Sequence, residues 1–250
     1  MVWWIMASVR RRPLGVACLI LSGLAWIAPR PAAAQPTAHL TWAERLVDNI
    51  APEDNEYGSR PFITWAGVAG ARRYANRTQC ATFLTALLKR SYGWSADTFE
   101  DWLDSASPNA ATYHDAILAE DGFERIESPE DARAGDILAL RYPESASSSG
   151  HVAILRRAPK RRFPMPPYVV GTTQYEVFVV DSTNYHHGTS DSRRRSGGRW
   201  SSGAGFGSMR IYVDRSDTVV GHTWSMAATT VYYPTTLRQV AIGRLALRER

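Results

Sequence analysis

Cysteine is nearly absent from this chain. Its 250 residues include two, Cys18 and Cys80, and Cys18 falls inside an N-terminal apolar run, with no leucine three positions before it to suggest a lipid-acceptor site. The folded part therefore keeps one thiol, which excludes an internal disulfide framework and leaves three roles: an intermolecular bridge, an inert buried thiol or a reactive one. Internal repeats are missing, which excludes a solenoid or other repeat array. Beyond the first residues there is no apolar run long enough to span a bilayer. A surplus of charge is missing too, once the N-terminus is set aside.

Arg10, Arg11 and Arg12 precede an apolar run from Leu14 to Ala28, and the segment closes on Ala32, Ala33 and Ala34. This pattern is that of a secretory signal peptide over residues 1–34. A secreted or periplasmic protein is expected, with no stable membrane insertion after the signal is removed. The leader holds four arginines and no acidic residue, so without it the formal charge of +5 falls to about +1. A nucleic-acid partner is therefore not expected. Acidic residues crowd 95–136, and arginines crowd 156–162 and 193–199; both read as solvated faces.

Residues 35–250 suit one domain, with loop insertions near 157–174 and 186–208. Thr41 and Glu44 form a capping box for a first helix that ends before Pro52. Residues 53–74 read as a loop. Asn76 or Thr78 can cap the next helix, in which Phe83, Leu84, Leu87, Leu88 and Tyr92 make a buried stripe before Gly93 ends it. Ser95 caps a short acidic helix, and 113–120 reads as another. After Gly135 the pattern changes to β-rich runs at 136–141, 151–156, 175–181, 209–214, 219–224 and 240–245. Helices followed by strands predict an α+β fold, with the helices packed on an antiparallel sheet or partial barrel of about six strands.

Cys80 stands at the start of the second helix. Free N–H groups and the helix dipole stabilise a thiolate there, and a neighbouring histidine lowers its pKa further, from ~8.5 into a range of about 3.5–7.5. The Cys80 N–H, with Gln79 as second donor, could hold an oxyanion. His151 opens a strand directly after Gly150, and Asp181 ends the following strand. Together they supply a nucleophile, a base and an orienting group. Asn184 is an alternative for the third role. His186 and His187 are adjacent, so on extended backbone they point to opposite faces, and no metal site is expected. His114 and His222 read as surface or core-edge residues, and the tryptophans as packing. Asn76 to Thr78 also matches a glycosylation sequon.

The "QC" at a helix start, then "AGDIL", then "GHVAIL", resembles the papain-like bacterial cell-wall hydrolases, chiefly the CHAP group and its NlpC relatives. The resemblance covers about residues 74–185. It implies a papain-like fold, no metal or other cofactor, and cleavage of amide bonds in peptidoglycan peptides, with Cys80 as nucleophile, His151 as base and Asp181 as the third residue. The basic insertion "RRAPKRRFPMPP" and the chain beyond Tyr185 depart from the pattern. The competing readings are a non-catalytic wall-binding or partner-binding module, and a secreted cysteine protease or transferase acting on proteins.

Overall fold

Beyond Gly122 the regular structure is almost entirely strands, formed by short runs rich in valine, isoleucine and aromatic residues. The structure is a computed structural model describing Met1 and residues 38–246 except 144 and 146. The expected signal peptide, Met1 apart, lies outside the described residues. Pro36–Arg250 forms one compact unit. In chain order its first elements are α1 (Ala38–Asn49), β1 (Asn55–Glu56), β2 (Phe62–Thr64), β3 (Ala75–Arg77), α2 (Cys80–Tyr92), α3 (Ala96–Leu103) and α4 (Ala110–Leu118). The strands β4 (Phe123–Arg125), β5 (Ile137–Arg141), β6 (Gly150–Leu155), β7 (Lys160–Arg162) and β8 (Thr173–Thr183) follow. The last four are β9 (Gly203–Val213), β10 (Val219–Thr223), β11 (Tyr232–Pro234) and β12 (Gln239–Leu245). No described helix is long and apolar enough to cross a membrane.

A small sheet has β3 at its centre, parallel to β1 and antiparallel to β2. The other nine strands form one antiparallel sheet in the order β11-β10-β9-β8-β6-β5-β12-β4, with β7 paired to β8. The last strand, β12, enters between β5 and β4. Strands β10 and β12 stand near opposite ends of that order and still touch. The sheet therefore curls back on itself, as twisted antiparallel sheets do when they approach closure.

Curling gives the strands two buried faces. Leu138 and Leu140 of β5, Leu155 of β6, Val177 and Val179 of β8 and Ile211 of β9 fill the inside of the curl. The alternate residues Ile137, Ala139, Val152, Ile154 and Val180 face outward and pack against Phe83, Leu84, Leu87 and Leu88 of α2 together with Tyr113 and Ile117 of α4. Each such side chain contributes about 1.5–3 kcal/mol of burial. This second layer holds the cysteine helix against β6 and β8.

The expected papain-like α+β arrangement is overturned. Among the described residues there are twelve strands and four α-helices, and the protein is mostly β. The six runs read as strands are present, but β1 to β4, β7 and β11 were not anticipated. They are two or three residues long, too short to show a period of two. The first helix also differs: its described part begins at Ala38, so Thr41 and Glu44 lie inside it, and Glu44 pairs with Arg156 at 3.0 Å instead of closing a capping box.

Candidate active site

The cysteine helix is capped beyond both expected positions, one residue after Thr78. Gln79 is the N-cap in extended conformation, and its N–H donates to the Thr82 hydroxyl at 2.9 Å. Asn76 and Thr78 are occupied elsewhere. The Thr78 hydroxyl donates to Asn76 Oδ1 at 2.6 Å, Asn76 Nδ2 to Asn55 Oδ1 at 3.0 Å, and Asn55 Nδ2 to the Ala204 carbonyl at 2.7 Å. The Ser182 hydroxyl donates to the Thr78 carbonyl at 2.7 Å. These buried bonds tie the segment before Cys80 to β8 and β9, so the thiol is fixed by two strands as well as by its helix. They also bury Asn76, which removes its sequon from use as a glycan acceptor.

His151 reaches its place through Gly150, the first residue of β6. Gly150 has φ +142°, and a Cβ there would stand 1.8 Å from the Leu140 carbonyl oxygen, so only glycine fits. The next residue then projects His151 toward α2. Its Nε2 bonds Asp181 Oδ2 at 2.6 Å, which leaves Nδ1 for the Cys80 sulfur, the other hydrogen-bond partner of the ring. Thus the structure brings Cys80, His151 and Asp181 together. Asn184 is exposed at the cleft and Gln79 is exposed beside it; Asp181, not Asn184, is the residue bonded to the imidazole.

The electrostatics favour an ion pair. Burial pushes the Cys80 thiol up, but the adjacent His151 imidazole and the Val152 N–H outweigh it, and the thiol stays below its ordinary value. Burial pushes His151 down, but the Cys80 thiolate and the Asp181 carboxylate raise it to about 9. Burial would raise Asp181, yet Arg193, His187 and His151 hold it well below the usual carboxylate range. Both shifts favour the thiolate and imidazolium form of the pair over the neutral one.

Behind this trio lies a group of residues absent from the sequence-based site. Arg193, expected on a solvated basic face, is buried. It donates from Nη2 to Asp181 Oδ1 and to the Asp181 carbonyl, from Nη1 to Asp191 Oδ2 at 2.8 Å, and from Nε to the Gly203 carbonyl at 2.8 Å. His187, also buried, bonds Asp181 Oδ2 through Nε2 at 2.8 Å and the Trp224 carbonyl through Nδ1 at 2.7 Å. Its ring stacks on Trp224 at 4.4 Å, and Trp224 meets His151 edge-on at 4.8 Å. His186 points the other way and stacks on Trp200. The 186–208 segment is thus a built support for Asp181 rather than a loose insertion. A signal for it was present: glycines at 205 and 207 share one face of β9, and a Cβ there would strike Arg193 at 2.6 Å and His187 at 2.3 Å.

His151, Asp181 and His187 could present three ligand atoms within 4.8 Å of one another. Those atoms bond each other, however, and the Arg193 guanidinium already neutralises the carboxylate. A divalent cation would have to displace these bonds beside a fixed positive charge, so the donor set does not fit a metal. His114 and His222 are buried rather than at the surface, and neither ring nitrogen of His222 has a hydrogen-bond partner among the described residues.

Cys80 and His151 open into a cleft of about 980 Å³ whose lining also includes Tyr57, Gln79, Tyr142 and Trp224. Tyr57, from the segment read as a plain loop, lines the cleft with Cys80; burial and the nearby thiolate push its hydroxyl up to about 12, so it stays protonated. Tyr57 and the Cys80 N–H at the helix start are the donors nearest the thiol, where charge would develop on a bound carbonyl.

No protein-family model matches the chain, and no solved structure matches it. An uncharacterized protein of Acanthamoeba polyphaga mimivirus is similar to it, at 27% identity over 219 residues, covering 83% of this chain and 96% of that protein.

Proposed function

We propose that this chain is a secreted or periplasmic thiol hydrolase that cleaves amide bonds in peptidoglycan peptides. The observation that carries the chemistry is the buried Cys80, His151 and Asp181 trio at the floor of an open cleft. The order of the "QC", "AGDIL" and "GHVAIL" motifs supports the substrate class. In this reading the Cys80 thiolate attacks the amide carbonyl carbon, and a C–S bond forms while the oxyanion is held by the Cys80 N–H and the Tyr57 hydroxyl. The His151 imidazolium gives its proton to the amide nitrogen as the C–N bond breaks. Water then attacks the thioester, losing a proton to His151, and releases the acid and the Cys80 thiolate. Asp181 holds the imidazole with Nδ1 toward sulfur.

A purely binding role is disfavoured by the site itself. Burying a carboxylate, a guanidinium and an imidazole is justified in binding only if they touch the ligand, and Asp181, His187 and Arg193 are sealed from the cleft. The test is incubation of the protein and Cys80→Ala with purified peptidoglycan, with released fragments identified by mass spectrometry. Cysteine-dependent muropeptides are expected. Sedimentation with the wall and no fragments contradicts the proposal, as does cleavage confined to protein substrates.

A further inference from the structure

Among the described residues that line the cleft, one arginine stands without an acidic neighbour. Arg238 lies in the turn between β11 and β12, half-buried at the cleft wall. Its guanidinium carbon stands 3.5 Å from the Tyr233 ring centroid and 4.3 Å from that of Tyr142. No acidic residue is among the described residues that line the cleft, so no carboxylate there neutralises it. Stacking on two rings fixes the faces of the guanidinium and leaves its N–H edge for a planar anion, a recognition that lysine does not reproduce. Tyr142, Arg238 and Cys80 all line this cleft, and Tyr142 is one of the rings that the guanidinium stands against, so the cation and the thiol face the same space. Apart from Cys80, the histidines and the aliphatic Ala81, Ala110 and Val231, the described wall is hydroxyls, amides and aromatic rings, among them Ser147, Ser148 and Thr229. Such a wall hydrogen-bonds a polar chain without adding a competing charge.

We propose that Arg238 binds a carboxylate of the substrate, so that the amide bond delivered to Cys80 sits beside a free acidic group. The substrate class is then a peptide or acyl-amino compound carrying a carboxylate near the scissile bond. The inference rests on Cys80 being the reactive thiol of the proposed function. It does not rest on peptidoglycan as the source of the peptide.

The test uses small alkylating probes whose sites of attachment are read by mass spectrometry. Rates of Cys80 modification are measured at pH 7 with iodoacetate against iodoacetamide, and with 3-maleimidopropionate against N-ethylmaleimide. Each pair differs mainly in one carboxylate, and the ratio within a pair cancels changes in thiol reactivity. The His151 imidazolium attracts anions in every variant, so the effect of Arg238 is the change in ratio. The anionic-to-neutral ratio is expected to be about tenfold higher in the parent than in Arg238→Gln, the worth of one charge-assisted pairing. Arg238→Lys, which keeps the charge, should retain part of that preference, and circular dichroism should show both variants folded. A ratio that is the same in the parent and Arg238→Gln, or that falls equally in Gln and Lys, overturns the carboxylate site. If Cys80 of the parent resists the neutral reagents as an ordinary buried thiol does, the thiolate reading fails and this proposal with it. Fast labelling with ratios indifferent to Arg238 removes the proposal alone.

Discussion

Strand β8 passes through two interiors of opposite character. Its earlier residues Tyr175, Val177 and Val179 enter the apolar core inside the curled sheet. Its last residues, Asp181 to Thr183, are equally buried but meet hydrogen-bonding partners from β3, β9 and the 186–208 segment. The first interior is held by burial that is non-directional, so neighbouring side chains can shift to fill a gap. The second is held by directed bonds in a low-dielectric setting, where each member fixes its neighbours and a missing one leaves a polar group stranded. The apolar half supplies stability; the polar half fixes the position of His151.

Removal of Arg193 should show the difference most strongly. Arg193→Ala strands Asp181 and Asp191 in the interior, a loss of about 3–5 kcal/mol, which urea unfolding followed by circular dichroism measures. Because Asp181 loses the guanidinium that fixes it, the rate of Cys80 alkylation at pH 6 should fall as well. Ile211→Ala, inside the apolar core, should lose about 2–5 kcal/mol through the cavity it leaves, with Cys80 alkylation unchanged while the protein stays folded. Equal alkylation in both variants would break the comparison, since it would mean the polar group contributes stability only.

The two interiors differ as much in how they can be read from sequence. Short, continuously apolar β-rich runs at 137–140 and 177–180 marked the strands, which are buried on both faces. Cys80 and His151 were legible because each sits at an element boundary that local signals mark, a helix start and a glycine-led strand; Asp181 was read as a strand end but lies inside β8, which runs on to Thr183. The supporting residues were not legible. Arg193 lies in an arginine-rich stretch where exposure is the usual outcome, and His187 belongs to a histidine pair whose neighbour is exposed. Their partners come from distant segments that no local pattern links. The overall class was misjudged for a related reason. Six strands two or three residues long carry no periodicity, and curling of the sheet depends on contacts between β10 and β12 that lie far apart in its strand order.

Acid should probe the interiors away from the site. Burial lowers His39 to about 4, although its bond to the Gly135 carbonyl opposes this, and burial next to Arg238 lowers His222 to about 3. A histidine that is harder to protonate when folded takes up protons preferentially in the unfolded chain. Stability should therefore be steady above about pH 6.5 and decline as pH falls below it, toward 4 and then 3. Urea midpoints measured between pH 8 and 4 check the sign, and a midpoint rising with acid would contradict it. The smallest effect is expected at Asn184. Asn184→Ala, at an exposed position with no bond to His151 among the described contacts, should change neither stability beyond about 0.5 kcal/mol nor Cys80 alkylation.

The central claim is that His151 keeps Cys80 as a thiolate despite its burial. Without the imidazole only the Val152 N–H opposes burial, and the thiol is no longer held below its ordinary value. The direct measurement is the rate of iodoacetamide alkylation of Cys80 from pH 5 to 10, in the parent and in His151→Ala. The parent should react rapidly at pH 6, and His151→Ala should react slowly until the pH exceeds about 8.5, the range of an ordinary thiol. Superimposed profiles, with both proteins slow at pH 6, would show that the two side chains are neighbours without being an ion pair.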